Sequence, residues 1–204
     1  MPDIAESELL NADYKGTRTV DGICVTRAVT FPRSGHHLMV NILRGYFGER
    51  LHYCERYDTP EKTIEKCAET NLQKDHDFDG ATPVVAGIQH LVTCRNPLRC
   101  LESWYEADTL NGRLIDSPEH YRDFCGRMAR YWAAFMAKWV FTELSNRLVI
   151  EYDRLIAEPV LVMGKVISFM APNERIETDK VLDCINQVGI IASRRPALRY
   201  CEYA

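Results

Sequence analysis

The chain has 204 residues, of which 46% are hydrophobic and 26% charged, and its formal net charge is −4. This is the size of one domain that can bury about 70% of its unfolded surface. The slight negative charge gives no global basic field for nucleic acid or an anionic membrane, so any polyanion site must be local. Eight cysteines occur without a Cys-x-x-Cys. No signal sequence and no apolar run of about 18 residues is recognisable, and the expectation is a cytoplasmic protein with reduced thiols that serve mostly as small apolar filler.

Residues 1–20 are polar and aperiodic, and read as a loosely packed N-terminal arm of a single domain spanning 1–204. Ile23 to Thr30 is β-branched and apolar, as a strand should be. Leu38, Met39, Ile42, Leu43, Tyr46 and Phe47 then recur at helical spacing, which predicts a helix over about 35–47. Between them, Phe31-Pro32-Arg33-Ser34-Gly35-His36-His37 is a strand-to-helix turn, with Ser34 expected as N-cap and Gly35 opening the backbone to a ligand. A helix start presents unpaired N–H groups and a partial positive charge, and Arg33 adds a cationic fork, so the turn reads as an anion-binding loop. Many strand-turn-helix junctions bind nothing, and a second site has to decide.

Farther on, Thr59-Pro60-Glu61-Lys62 reads as a helix start. Asn71 to Lys74 reads as a short strand and Ile88 to Cys94 as a buried one, which runs into Arg95-Asn96-Pro97 and a helix from Leu98. Pro118 to Leu144 reads as one long helix. Its stripe of Tyr121, Phe124, Met128, Tyr131, Trp132, Phe135 and Trp139 is better suited to a core than to a ligand box. Arg147 to Tyr152 is a further strand, and helices follow over 159–170 and 178–188. Alternating strands and helices predict an α/β three-layer sandwich, a mostly parallel sheet flanked by helices in the manner of nucleotide-binding phosphate-loop folds. Ligands of such sheets bind beyond the carboxyl ends of the strands, where the loops at 31–37, 74–79 and 95–97 would meet.

Two familiar patterns fail. The nucleotide loop Gly-x-x-x-x-Gly-Lys-Ser/Thr is absent, which weakens an ordinary ATP or GTP site. Asp75-x-Asp77-x-Asp79-Gly80 copies the start of a calcium loop, but its twelfth position, where a bidentate Glu belongs, is Ala86. The histidines make no strong zinc spacing, and no metal is expected.

Taken together, four segments in order resemble the sulfotransferases that use 3′-phosphoadenosine 5′-phosphosulfate (PAPS). Phe31-Pro32-Arg33-Ser34-Gly35-His36-His37-Leu38 is similar to that family's 5′-phosphosulfate loop. Arg95-Asn96-Pro97, with Ser103 eight residues after the Arg, resembles its 3′-phosphate segment. Lys74-Asp75-His76 is similar to the Lys-x-His at its catalytic strand end, and Tyr152-Asp153-Arg154-Leu155 with Pro159 to its stretch near the adenine. The resemblance implies that PAPS is bound by Arg33, Ser34, Gly35, His36, His37, Arg95, Ser103 and Tyr152, and that 3′,5′-adenosine bisphosphate (PAP) is the product. It implies that Arg33 takes up charge on the 5′ side, Lys74 contacts the transferring group and His76 is the general base, with Asp75 and Asp77 orienting its ring or raising its pKa. The expected acceptor is a hydroxyl or amine of a small molecule or glycan, with Trp104, Tyr105 and Tyr57 as candidate walls of its pocket. His36 and His37 depart from the family's hydroxyl residues, and its C-terminal basic, Gly-rich stretch is not recognisable. Arg194 and Arg195 stand as candidate replacements on the 3′-phosphate. A phosphate-loop small-molecule kinase using ATP and magnesium, and a non-catalytic PAP/PAPS-binding module, are the alternatives; acceptor identity and oligomeric state are left open.

Overall fold

A computed structural model of the chain describes residues 17–55 and 69–189. The helix start at Thr59–Lys62, Tyr57, Arg194 and Arg195 lie outside the described residues, as does the arm up to residue 16. Residues 19–20 of that arm are not loose. They form β1 (Thr19–Val20), which pairs antiparallel with β2 (Ile23–Cys24) around an Asp21-Gly22 turn whose two residues both have positive φ, the geometry a tight hairpin needs.

The main sheet contains β3 (Thr26–Thr30), β4 (Tyr53–Cys54), β5 (Leu72–Asp75), β6 (Gln89–Cys94) and β7 (Arg147–Glu151), in the order β4-β5-β3-β6-β7 and parallel throughout. All of β3, β5 and β6 are buried, as expected where helices cover both faces of a parallel sheet. Alternation along β3 separates the two cores. Ala28, with its β6 partner Leu91, joins Ile42, Leu43, Met163, Ile167 and Val181 from α1 (His36–Phe47), α5 (Pro159–Met170) and α6 (Thr178–Val188). Val29, with its partner Val92, joins Phe31, Tyr105, Phe124 and Trp139 on the opposite face, under α2 (Pro97–Leu110) and α3 (Pro118–Phe135). The aromatic stripe is therefore core, and the three-layer α/β sandwich is the fold.

Three element boundaries differ from the sequence expectation. The strand expected over Ile23 to Thr30 breaks at Val25, its first two residues pairing with β1 and the rest joining the main sheet. The helix expected to reach Leu144 stops being α-helical at Phe135 and continues as a π turn over Met136–Phe141. Side-chain donors supplied from beyond the turn bind its open carbonyls: Thr142 Oγ1 donates to Ala137 O at 2.7 Å and Arg147 Nη1 to Trp139 O at 2.8 Å. The strand expected to include Tyr152 ends at Glu151, and Tyr152 opens the short helix α4 (Tyr152–Ala157).

Candidate active site

Strand register sets the site. Thr30 pairs with Thr93, Val29 with Asp75, and Cys94 with Glu151, so β3, β5, β6 and β7 end at one edge of the sheet. The next residues of those chains include Arg33, His76, Arg95 and Tyr152, and all four line one cavity of about 670 Å³ together with Gly35, His36, His37, Lys74 and Ser103. Residues separated by up to 119 positions in sequence thus share one space because the sheet is parallel.

One wall is cationic. Arg33 has φ +65°, a left-handed backbone unusual for a residue with a side chain, and its Nε donates to Ser103 Oγ at 3.1 Å. Arg95 Nη1 donates to the Arg33 carbonyl at 3.4 Å, and its guanidinium lies 4.1 Å over the Tyr152 ring. Arg95 Nε is buried with no hydrogen-bond partner, a donor without an acceptor, which costs free energy unless a ligand supplies one. The sequence reading put Arg33 on the 5′ side and Arg95 with Ser103 on the 3′ side. The folded chain instead gathers all three into one cluster.

Ser34 does not cap α1. Gly35 is the N-cap, with φ 91° and no side-chain cap. The Ser34 hydroxyl is buried, donating to the Phe31 carbonyl at 2.6 Å with Thr93 Oγ1 at 2.8 Å, so it ties the loop to β6. The need for glycine at 35 is also different from the one expected: a Cβ there would lie 2.4 Å from Tyr152 Cδ2. The close approach is made by a ring of the protein itself, which also carries Arg95.

The opposite wall holds His76 and Lys74. His76 Nδ1 lies 2.7 Å from the Thr30 carbonyl, which can only accept, so Nδ1 carries the proton and the neutral ring has its lone pair on Nε2. Burial lowers the His76 pKa to about 4; the Thr30 bond and Asp75 oppose the shift, while Lys74 and His37 add to it. The expectation that flanking aspartates would raise this pKa therefore fails, because burial outweighs Asp75. The Asp77 carboxylate is committed to Thr82, Lys138 and Trp139. The calcium-loop carboxylates are thus engaged by protein donors: Asp75 accepts from the Asp77 N–H and the Thr82 hydroxyl, and Asp79 from the Ala81 N–H.

Lys74 is 4% exposed, and burial lowers its pKa against the opposing pull of Glu55, whose Oε2 lies 3.8 Å from Nζ. Burial pushes the Glu55 carboxyl up, but the Tyr53 hydroxyl bond, with Lys74 and His37, outweighs it and leaves the pKa lowered. Glu55 is therefore an acceptor, and Tyr53 donates to it at 2.9 Å. Having spent its proton there, Tyr53 accepts from His36 Nε2 at 2.7 Å. The His36 ring is left with a lone pair on Nδ1, buried and unpartnered, and burial lowers its pKa to about 2. Its side chain offers an anion no proton, and any contribution comes from the backbone N–H groups of the helix start. His37 is mostly exposed, 3.4 Å from Glu55.

Trp104 lines the cavity beside Phe78 and His76. Tyr105, the other described candidate for an acceptor wall, is fully buried, and its hydroxyl donates to the carbonyls of Ile115 and Ser117. Sequence reasoning missed Thr30, Phe78, Tyr53 and Glu55. Each acts through a partner distant in sequence, and no motif marks it.

The family described as "Sulfotransferase domain" matches residues 86–186, from the approach to β6 into α6. Residues 86–186 thus carry a sulfotransferase domain. Among solved structures, the chain resembles mouse sulfotransferase SULT7A1 complexed with PAP, with a TM-score of 0.64 at 14% identity, covering 93% of this chain and 71% of that one. It also resembles retinol dehydratase in complex with androsterone and inactive cofactor PAP, with a TM-score of 0.57 at 12% identity, covering 90% and 68%. At these identities the likeness is one of fold. No curated protein matches the chain significantly. Among its described residues no helix is long and apolar enough to cross a membrane, and no cluster of His, Cys, Asp and Glu is arranged to hold a metal ion.

Proposed function

We propose that this sulfotransferase moves a sulfuryl group from PAPS to a hydroxyl or amine of a small-molecule acceptor, with His76 as general base. The observation that carries the reading is the two-walled cavity, which has Arg33, Arg95 and Ser103 on one side and Lys74 and His76 on the other. PAP in both similar structures supports the choice of nucleotide, and androsterone in one supports a small-molecule acceptor.

The residues fit such a donor. The buried Arg95 Nε lacks an acceptor that a phosphate oxygen supplies. Guanidinium groups bind phosphate through paired hydrogen bonds, and the Ser103 hydroxyl adds a directional donor. The cluster of Arg33, Arg95 and Ser103 would take one phosphate, and the N–H groups at the start of α1 with Lys74 would take the other anionic end. When bound, PAPS supplies an activated sulfuryl group on a phosphate leaving group. The protein's task is then positioning and cationic stabilisation in an in-line geometry. His76 Nε2, unprotonated at neutral pH, receives the acceptor's proton.

The test compares PAP with ATP-magnesium in a thermal shift, then measures transfer by His76→Ala. PAP is expected to stabilise the protein, and His76→Ala to lower turnover by about 10²- to 10⁴-fold with PAP affinity kept. Stabilisation by ATP-magnesium alone would transfer the reading to the kinase. Full activity in His76→Ala would remove the base.

A further inference from the structure

His76 stands between two residues whose carboxylates are buried, and the loop that follows it is held by a network that does not reach the cavity. Asp75 Oδ1 accepts from the Asp77 N–H at 2.8 Å, and its Oδ2 from the Thr82 hydroxyl at 2.8 Å. Asp77 adopts φ 50° and is 4% exposed. Its Oδ1 accepts from Thr82 N at 2.7 Å, and its Oδ2 from Lys138 Nζ at 2.8 Å and Trp139 Nε1 at 2.7 Å. Lys138 Nζ donates further to the carbonyls of Gly80 and Thr82, each at 2.7 Å, so its three protons have three acceptors. Past the loop, Arg27 Nη1 donates to the Pro83 carbonyl at 2.9 Å.

The π turn explains how one carboxylate oxygen receives both donors, because Lys138 and Trp139 are adjacent residues of Met136–Phe141. In the part of α3 that leads into that turn, Tyr131 donates to the His76 carbonyl. The Asp77 side chain is 2% and the Lys138 side chain 29% exposed, and desolvation of the carboxylate offsets much of the attraction. What such a pair supplies is direction: hydrogen bonds fix the path of a chain where an apolar plug fixes only its volume.

We propose that Asp77 and Lys138 are a positioning pair that ties the His76 loop to the π turn and thereby fixes the imidazole in the cavity. Neither lines the cavity, so both act through His76. The inference rests on His76 being the general base.

Its test separates the two readings. Protein labelled at histidine Cε1 is titrated by NMR, with the His76 signal assigned from His76→Gln, and PAP affinity and turnover are measured in parallel. The groups facing the imidazole include Lys74 and Asp75 of β5, His36 and His37 of α1, the carbonyl and hydroxyl of Thr30 of β3, and the Phe78 ring. None of these is altered by Lys138→Met, whose aliphatic stem is kept. In the wild type the imidazole is expected to titrate near 4. In Lys138→Met the released loop hydrates it, and the midpoint moves toward the ordinary histidine value of about 6.5. Turnover is expected to fall tenfold or more with unchanged PAP affinity, and Lys138→Arg to restore most of both. An unmoved His76 midpoint in Lys138→Met overturns the proposal, as does a turnover loss that matches only the fraction unfolded. If Lys138→Met does not fold, Lys138→Gln, which keeps a donor without the charge, is read in the same way. Absence of transfer by the wild type would refute the functional reading, and the titration would still decide the positioning pair.

Discussion

Arg95→Ala is the most direct probe of the cationic wall, because its cost in binding and its cost in folding differ sharply. In the protein alone, Arg95 makes one long bond of 3.4 Å to the Arg33 carbonyl and stacks 4.1 Å over Tyr152, while its Nε has no partner. An exposed cation–π contact contributes about 0.5–1 kcal/mol. Removing an unpaired buried donor offsets part of that, so stability should fall by less than about 1 kcal/mol. On a phosphate the same guanidinium would make charge-assisted hydrogen bonds worth about 1.5–3 kcal/mol. The loss corresponds to PAP binding roughly 10- to 150-fold weaker. Isothermal calorimetry with PAP, beside a denaturant melt of the same protein, measures both quantities. Arg95→Lys should recover only part of the affinity, because an ammonium keeps the charge but loses the planar fork and the stacking on Tyr152. If Arg95→Ala bound PAP as tightly as the wild type, the cluster with Arg33 and Ser103 would not be the phosphate site. If it unfolded instead, the assignment of Arg95 to a ligand rather than to the fold would be wrong.

Gly35→Ala should destabilise the protein by about 2–5 kcal/mol in urea melts, because the new Cβ would fall 2.4 Å from Tyr152 Cδ2 at a φ of +91°; a loss under about 1 kcal/mol would mean that the Tyr152 ring moves aside freely. Acid should destabilise the fold before its carboxylates titrate. Burial lowers the pKa of His76 and His90 to about 4 and of His36 to about 2, so below the unfolded value near 6.5 the unfolded chain binds protons that the native state refuses. Stability from these groups is complete above that pH and is lost at up to about 1.4 kcal/mol per pH unit for each as pH falls toward the folded values. Thermal melts from pH 7 to 5 should show a falling Tm, and a flat Tm over that range would contradict the burial of these rings.

What the sequence made legible follows from the range over which each signal acts. The end of β3 with its loop and α1, the Arg95 segment and the last two helices are marked by local periodicity and turn residues, and they stand within a residue or so of their expected places. The meeting of the loops that carry Arg33, Lys74, His76 and Arg95 was expected from parallel topology alone, since strand ends in such a sheet share an edge. The roles that shifted are those set by long-range partners. Ser34 has a cap residue's chemistry, but Thr93 on β6 draws its hydroxyl inward. Arg33 follows its loop by sequence and Ser103 by contact. Glu55 and Tyr53 carry no motif, because a two-residue edge strand gives too short a pattern to read. The π turn was also invisible, as its aromatic spacing continues that of α3 and its cause lies in donors from Thr142 and Arg147.

Burial is the common physical cause behind the division of labour in the cavity. It lowers the pKa of Lys74, His36 and His76 alike, yet the three differ in what compensates it. Lys74 has Glu55 to favour its charged form. His36 has only the neutral Tyr53 hydroxyl and gains no such support. His76 Nδ1 donates to the neutral carbonyl of Thr30, and its neighbour Lys74 repels a second positive charge. The imidazole is consequently held neutral with its lone pair on Nε2, while the guanidinium groups of Arg33 and Arg95 line the same cavity. A cationic wall and an unprotonated base can coexist in one space because burial disfavours the charged form of the imidazole. A chain with net charge −4 can present an anion site on these terms, since the attraction comes from groups at one sheet edge and not from the molecule as a whole.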